Sequence, residues 1–202
     1  NLNAISGIGE LNGGRIDSGG TINTSEITLN GIALSGAGAA QNATGFVDII
    51  NAKTGSTGII ADSYNVVEGQ LAVSGVTAGL QVNGVTVSNT GSMKELADTI
   101  NLEVADVTAT ISNDGALRLS NESGRTIIVG GTIAGSGLVA DTYAGYISLT
   151  NVTDEAIEFG LVASAVTAGA VTNSEIAGLG FVATSGSDNV TGYPVVGTNI
   201  TT

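Results

Sequence analysis

Residues 79–101 read GLQVNGVTVSNTGSMKELADTIN, a turn, a cap and an apolar stripe in an order that specifies a hairpin followed by a helix. Asn83-Gly84 stands between two short alternating runs, and Asn followed by Gly supplies the two positive-φ positions of a type I′ hairpin turn. With that turn, Val82 faces Val85 and Leu80 faces Val87. Four apolar side chains then share one face, while Gln81 and Thr86 take the other. Ser92-Met93-Lys94-Glu95 has the S-x-x-E spacing of a helix N-terminal capping box. Met93, Leu96, Ala97 and Ile100 follow at i, i+3, i+4 and i+7, one apolar stripe on a helix of about three turns. So short a helix is marginal alone and must lay its stripe on the hairpin.

Downstream of Ile100-Asn101, VTATI (107–111) alternates again, with Val107, Ala109 and Ile111 in phase. A turn at Asn113-Asp114-Gly115 leads into ALRLS (116–120), where Leu117 and Leu119 alternate. A second turn around Ser123-Gly124 leads into TIIV (126–129). Residues 79–135 thus read as β-hairpin, helix, β-hairpin. Upstream, EITLNGIALSGAGAAQNATGFVDIIN (26–51) repeats the order. Asn30-Gly31 pairs Leu29 with Ile32 and Ile27 with Leu34. Phe46, Val47, Ile49 and Ile50 mark a helix closing on Ile50-Asn51, and GIIAD (58–62) and QLAVSG (70–75) complete a degenerate ββαββ unit over 26–75. The offsets agree with a repeat: 53 residues from NG to NG, 50 from IN to IN, and 48 from Ala61 to Ala109. This first helix lacks the S-x-x-E box, and Gly45 weakens its start.

Residues 1–25 hold turn signals and few apolar positions, and irregular edge structure is expected there. Over 136–202, YISLT (146–150), AIEFGLVAS (156–164) and AGAVTN (168–173) read as strands, and EIAGLGFVATSG (175–186) as a strand or a loop. The expected fold class is α+β, mainly β. It consists of two β-hairpin–helix–β-hairpin units plus additional C-terminal strands, with short helices only.

Composition narrows the function. Apolar residues make up 42% of the 202, with three Phe and four Tyr, so the core must be aliphatic. The 31 Gly follow no fixed period and there is one proline, which excludes collagen and Pro-rich linkers. Eighteen acidic residues stand against five basic ones, Arg15, Lys53, Lys94, Arg118 and Arg125. Phosphate backbones repel such a chain, so no nucleic-acid partner is expected. The charge suits a soluble, non-adherent surface. With no cysteine there is neither a disulfide framework nor a thiolate metal site. With no histidine, the commonest general base and zinc ligand are missing. Every apolar stretch is interrupted by Gly, Ser or Thr before it could span a bilayer, so no membrane insertion is expected. The chain opens at Asn1 without Met, a basic n-region or an apolar h-region. No cleavable signal peptide is visible, and the chain reads as a piece of a longer protein.

Catalysis needs a constellation, and none is found. A Ser-Lys pair would have to use Lys53 or Lys94, and Lys94 belongs to an exposed first helical turn. G-x-S-x-G and G-x-x-x-x-G-K-[ST] are absent. Asp154, Glu155 and Glu158 read as a polar face. GGRIDSGGTI (13–22) has the texture of Ca²⁺-binding Gly-Asp repeats but occurs once, out of register. Six N-x-[ST] sequons, at Asn23, Asn42, Asn121, Asn151, Asn189 and Asn199, are close to chance in a chain so rich in Asn, Ser and Thr. Tyr143 and Tyr146 form the one close tyrosine pair and read as strand packing, the alternative being a sugar platform. The chain is therefore expected to be no enzyme and to hold no cofactor or metal.

A strand with Asn83-Gly84, a short helix closing on Ile100-Asn101, and then VTATISNDGALRLSNESGRTIIVGG (107–131) together resemble the IN motif of bacterial flagellins. In that family the motif ends in a V-x-A strand, a DG turn, an apolar-x-apolar strand and a G-R-x-I strand. Here these are Val107-Thr108-Ala109, Asp114-Gly115, Leu117-Arg118-Leu119 and Gly124-Arg125-Thr126-Ile127. AGYISLT (144–150) is similar to the strand that follows it. The match is good over 79–150 and looser over 26–75, where Asn30, Gly31, Ile50 and Asn51 take the motif positions. The long heptad-like terminal helices that polymerise flagellin are absent. The resemblance therefore implies the variable outer domains of the filament subunit used in motility, displayed outside the cell after export through the flagellar apparatus. It implies a homopolymer only through those missing helices, so this piece is expected to be monomeric. Surface Ser and Thr offer acceptors for O-linked sugars, and hosts, phage or antibodies are the expected contacts. Filament-cap and hook-associated proteins carry related modules and are the alternative within the class. An extracellular adhesin-type binding module is the alternative outside it.

Overall fold

The computed structural model describes residues 9–17, 22, 24–34, 42–72, 74–76, 78–153, 157–162 and 177–181. In chain order the elements are β1 (Glu10–Arg15), β2 (Ile27–Leu29), β3 (Ile32–Ala33), α1 (Ala43–Asn51), α2 (Thr54–Thr57) and β4 (Ile59–Leu71). β5 (Leu80–Val82), β6 (Val85–Thr86), α3 (Met93–Glu103), β7 (Thr108–Ile111), β8 (Ala116–Asn121), β9 (Ile127–Gly131) and β10 (Asp141–Tyr143) follow. The last are β11 (Tyr146–Asn151) and β12 (Phe159–Leu161). The fold is α+β and mainly β, as expected, with short helices. It divides into two compact units: residues 64–145 form one, and 1–63 with 146–202 form the other. The division falls inside β4 and at 145/146, not at the expected 75 and 136.

The contiguous unit follows the 79–131 reading closely. Asn83 and Gly84 take φ of 51° and 78°, the left-handed values a type I′ turn requires. β5 and β6 pair with Val82 opposite Val85, and the Val87 N–H donates to the Leu80 carbonyl. Leu80, Val82 and Val87 are buried, but Val85 is 37% exposed. The buried apolar face therefore reaches the turn at Val82 on one side and resumes only at Val87 on the other. Ser92 caps α3 by accepting from the Glu95 N–H at 3.2 Å, while the Glu95 carboxylate accepts from Gly91 N–H rather than from Ser92 itself. Met93, Leu96, Ala97 and Ile100 are all buried, and each fully buried aliphatic side chain contributes about 1.5–3 kcal/mol. They pack in one core with Val67, Val107, Ala109, Leu117, Leu119 and Val129. Strands β7 and β8 form the second hairpin, Ala109 opposite Leu119. β9 does not extend that hairpin. It pairs with β5, giving the order β10-β9-β5-β6, while the end of β4 flanks β8 in the order β4-β8-β7.

The discontinuous unit holds the same parts. β2 and β3 make the hairpin, with Asn30 and Gly31 at φ of 48° and 76°. Ile27, Leu29 and Leu34 are buried, and Ile32, like Val85, is 36% exposed. α1 buries Ala43, Phe46 and Ile50. Asn42 supplies the missing cap by accepting from the Gly45 N–H at 2.9 Å. The two strands expected at 58–62 and 70–75 are one continuous strand, β4. Its inward positions are Ile59, Ala61, Ser63, Asn65 and Val67. Polar Ser63 and Asn65 fall at buried positions and break the apolar alternation by which a strand is recognised. The closing strands of this unit are β11, which lies between β1 and β4, and β12, which pairs with β2. Residues 64–145 are thus inserted into the first module, between its third and fourth strands.

Two further differences concern the ends. Residues 10–15, expected to be irregular, form β1 against β11, with Leu11 opposite Leu149 and a register shift after Asn12. The strand expected at 156–164 is confined to Phe159–Leu161. Residues 177–181 form a helical turn that places Phe181 against Phe159, ring centroids 4.8 Å apart. AGAVTN (168–173) lies outside the described residues.

Candidate functional site

Four of the motif asparagines and two sequon asparagines build three hydrogen-bonded devices, each present twice. The first is at the end of the helix. Asn101 Oδ1 accepts from the Ala109 N–H at 2.7 Å, and its Nδ2 donates to the Ala109 carbonyl at 2.9 Å. Asn51 treats Ala61 identically, at 2.8 and 2.9 Å. A side-chain amide carries one acceptor and a donor pair spaced like a backbone amide. β7 is the last strand of its sheet, so its outward N–H and C=O would otherwise be an open edge. In the Ile-Asn pair, therefore, Ile50 or Ile100 docks the helix; Asn101 seals the edge of β7, and Asn51 ties its helix end to β4, a strand with β11 and β8 as neighbours. Local sequence assigns these asparagines no such task; the signal is an Ala 10 residues after Asn51 and 8 after Asn101.

The second device ties the hairpin turn to a third strand. Asn83 N–H donates to the Ile128 carbonyl and its Oδ1 accepts from Ile128 N–H, both at 2.8 Å. Asn30 N–H donates to the Glu158 carbonyl at 2.8 Å, and its Oδ1 accepts from Glu158 N–H at 2.9 Å. Asn30 adds one bond: its Nδ2 donates to the Thr57 carbonyl at 2.9 Å.

The third device ends the fourth strand. Asn121 is buried. Its Oδ1 accepts from the N–H and hydroxyl of Ser123 and the N–H of Arg125, and its Nδ2 donates to the Asp106 carbonyl. Asn151, also buried, accepts from the N–H and hydroxyl of Thr153. These two sequons are therefore turn-forming motifs with their amides engaged inside the fold. Asn42 is the helix cap already described, and Asn23, Asn189 and Asn199 lie outside the described residues. A spacing of 30 residues separates Leu119, Asn121, Ser123 and Val129 from Leu149, Asn151, Thr153 and Phe159. That ungapped repeat of L-[ST]-N-x-[ST] was legible and would have located β11 and β12 as the end of the first module.

The remaining motif residues are local. Asp114 precedes Gly115, at φ 89°, and accepts from the Ser112 hydroxyl at 2.5 Å, which holds its carboxyl below the ordinary value. Gly124, at φ 69°, turns the chain before Arg125, whose guanidinium meets Asp106 at 3.1 Å. Glu103 accepts from the Ser88 hydroxyl and N–H, and its carboxyl is lowered, chiefly by the hydroxyl.

Charged groups are similarly engaged at the surface. Lys94 pairs with Asp98 at 2.6 Å along the exposed face of α3, and Arg118 pairs with Glu68 at 3.1 Å. Arg15 lies over the Tyr146 ring, 4.6 Å from its centroid, and Tyr143 donates its hydroxyl to the Val139 carbonyl. Each tyrosine of the sequence pair thus has a separate contact in its own unit. Of GGRIDSGGTI, Gly13–Arg15 lie in β1, Asp17 N–H bonds the Gly178 carbonyl, and 18–21 lie outside the described residues. Asp154 and Glu155 lie outside them as well. Among the described residues, no three acidic side chains come together as a metal-binding group, and every buried side-chain nitrogen and oxygen has a hydrogen-bond partner. No protein-family model matches the chain, and no curated protein matches it.

Proposed function

We propose that this chain is a structural protein: the surface-exposed outer domains of a flagellin, the subunit of the bacterial flagellar filament. The observation that carries the reading is the twice-built module with its Asn83-Gly84 and Ile100-Asn101 signature. Every distinctive residue of that signature is consumed in turning, capping, docking or edge-sealing. A part that works by being displayed needs a rigid, acidic, non-adherent body, and the sealed edge of β7 serves that need. Polymerisation belongs to long terminal helices of the parent protein, so this chain alone is a monomer.

The test is immunogold electron microscopy of bacteria encoding the sequence, with antibody raised against residues 1–202. Label along the whole filament supports the flagellin reading. Label confined to the filament tip or base would assign the chain to a cap or hook-associated protein, and label on the cell body would assign it to an adhesin.

A further inference from the structure

The sequence holds three Asn-Gly pairs, at 12–13, 30–31 and 83–84, and the fold places them in three different chemical situations. We propose that Asn83 is a site of spontaneous, irreversible deamidation, and that the other two are protected by the fold. In this reaction the Gly backbone nitrogen loses its proton to solvent base and attacks the Asn side-chain carbonyl carbon. A Cγ–N bond forms, the Cγ–Nδ2 bond breaks, and the amide nitrogen takes up a proton and leaves as ammonia. Water then opens the cyclic imide at either carbonyl, giving Asp or isoaspartate. Nothing is oxidised or reduced, and water is the sole co-reactant.

At Asn83 the parts are assembled for this step. Asn83 and Gly84 are both exposed, and no atom lies within 4 Å of the position a Gly84 side chain would take. The Gly84 nitrogen makes no backbone hydrogen bond among the described residues. The Ile128 N–H, 2.8 Å from Asn83 Oδ1, polarises the carbonyl and stabilises the oxyanion that forms on attack, as a preorganised donor does. The leaving Nδ2 is not held by any described residue. Asn30 shares the donor to Oδ1 from Glu158, but its Nδ2 is tethered to the Thr57 carbonyl at 2.9 Å. That bond must break before ammonia can leave. Asn12 lies within β1 opposite Ser148, and Gly13 is buried beside the Phe181 ring, so its nitrogen is screened from solvent base. One net hydrogen bond on the leaving group corresponds to about a fivefold slower reaction at Asn30 than at Asn83. Reaction at Asn83 leaves an acceptor for Ile128 in the Asp product. In the isoaspartate product it inserts an extra backbone carbon into a two-residue turn whose length sets the hairpin register.

The test is incubation of the folded 202-residue chain at mildly alkaline pH, with peptide mapping by a mass spectrometric method that separates Asp from isoaspartate. A parallel sample is kept in denaturant. In the folded chain Asn83 converts about fivefold faster than Asn30, with Asn12 slowest; in denaturant the three converge. Substitution Asn83→Asp removes the early ammonia release and leaves the slower remainder. Equal rates in the folded chain, Asn30 or Asn12 converting first, or an inequality that persists in denaturant would each overturn the proposal. So would a folded chain that stays intact at all three positions while the denatured one reacts.

Discussion

Replacing Asn101 by alanine removes a side chain that makes two hydrogen bonds to one residue and touches the chemistry of nothing else. The Ala109 N–H and C=O, bonded to it at 2.7 and 2.9 Å, then face outward from the last strand of the sheet. Each bond is worth about 0.5–1.5 kcal/mol net, and alanine returns about 0.5 kcal/mol as the better helix former, so the expected loss is about 1–2 kcal/mol. Urea titration followed by far-UV circular dichroism reads it as a lower midpoint with an unchanged slope. The same loss is expected for Asn51→Ala, because Asn51 makes the same pair of bonds to Ala61. Asn101→Asp sharpens the test. At neutral pH its carboxylate retains the bond from Ala109 N–H, faces the Ala109 carbonyl oxygen without a proton to donate, and sits unfavourably at the negative end of the helix. That carboxyl should titrate above its ordinary value, so Asn101→Asp gains stability as pH falls through its pKa, when the protonated group can donate again. An Asn101→Ala midpoint equal to that of the parent chain, or an Asn101→Asp variant blind to pH, would refute the edge-sealing role.

Three further outcomes follow from the same geometry. Ser92→Ala removes the acceptor for Glu95 N–H and should lower stability by about 1 kcal/mol in the same titration. Leu96→Ala, at a fully buried core position, should cost about 2–5 kcal/mol and serves as a positive control for the core. In acid, Glu103 and Asp114 have folded-state carboxyls held below their ordinary values by Ser88 and Ser112. Their contribution is complete above the unfolded value and is lost as pH falls through the folded one. Ser88→Ala should therefore flatten part of the acid-side slope of stability against pH while leaving the neutral plateau nearer to parent than Leu96→Ala does.

Much of the 79–131 unit was legible because its signals are local. Asn83-Gly84 fixes a turn by its own backbone preference, and Ser92 and the 93–100 stripe fix a helix within three turns' reach. What stayed hidden was decided by partners far away in sequence. Ser63 and Asn65 occupy buried strand positions because hydrogen bonds meet them there; Asn65 Nδ2 donates to the carbonyls of Arg125 and Tyr143. No window around residue 65 shows those acceptors, so β4 read as two pieces. β1 is Gly-rich, and Gly13 admits the Phe181 ring that a larger side chain would exclude. Its strand character comes from β11, far downstream. The helix-end and turn asparagines were seen as pattern, but their work is done by side-chain amides on backbone groups 8 to 128 residues away, and no propensity scale records that.

The insertion of 64–145 between β4 and β11 also has a meaning for heredity. The host module sends its chain out along one strand and receives it back on a hydrogen-bonded neighbour. Its own hairpin, helix, Asn51–Ala61 hydrogen bonds and β2–β12 pairing use only residues outside the insert. A gene encoding such a chain carries a cassette: recombination with break points near codons 63 and 146 would exchange the whole inner module and leave the host's pairing in register. A single genetic step would then replace the 64–145 unit, while the residues outside it kept their own pairing.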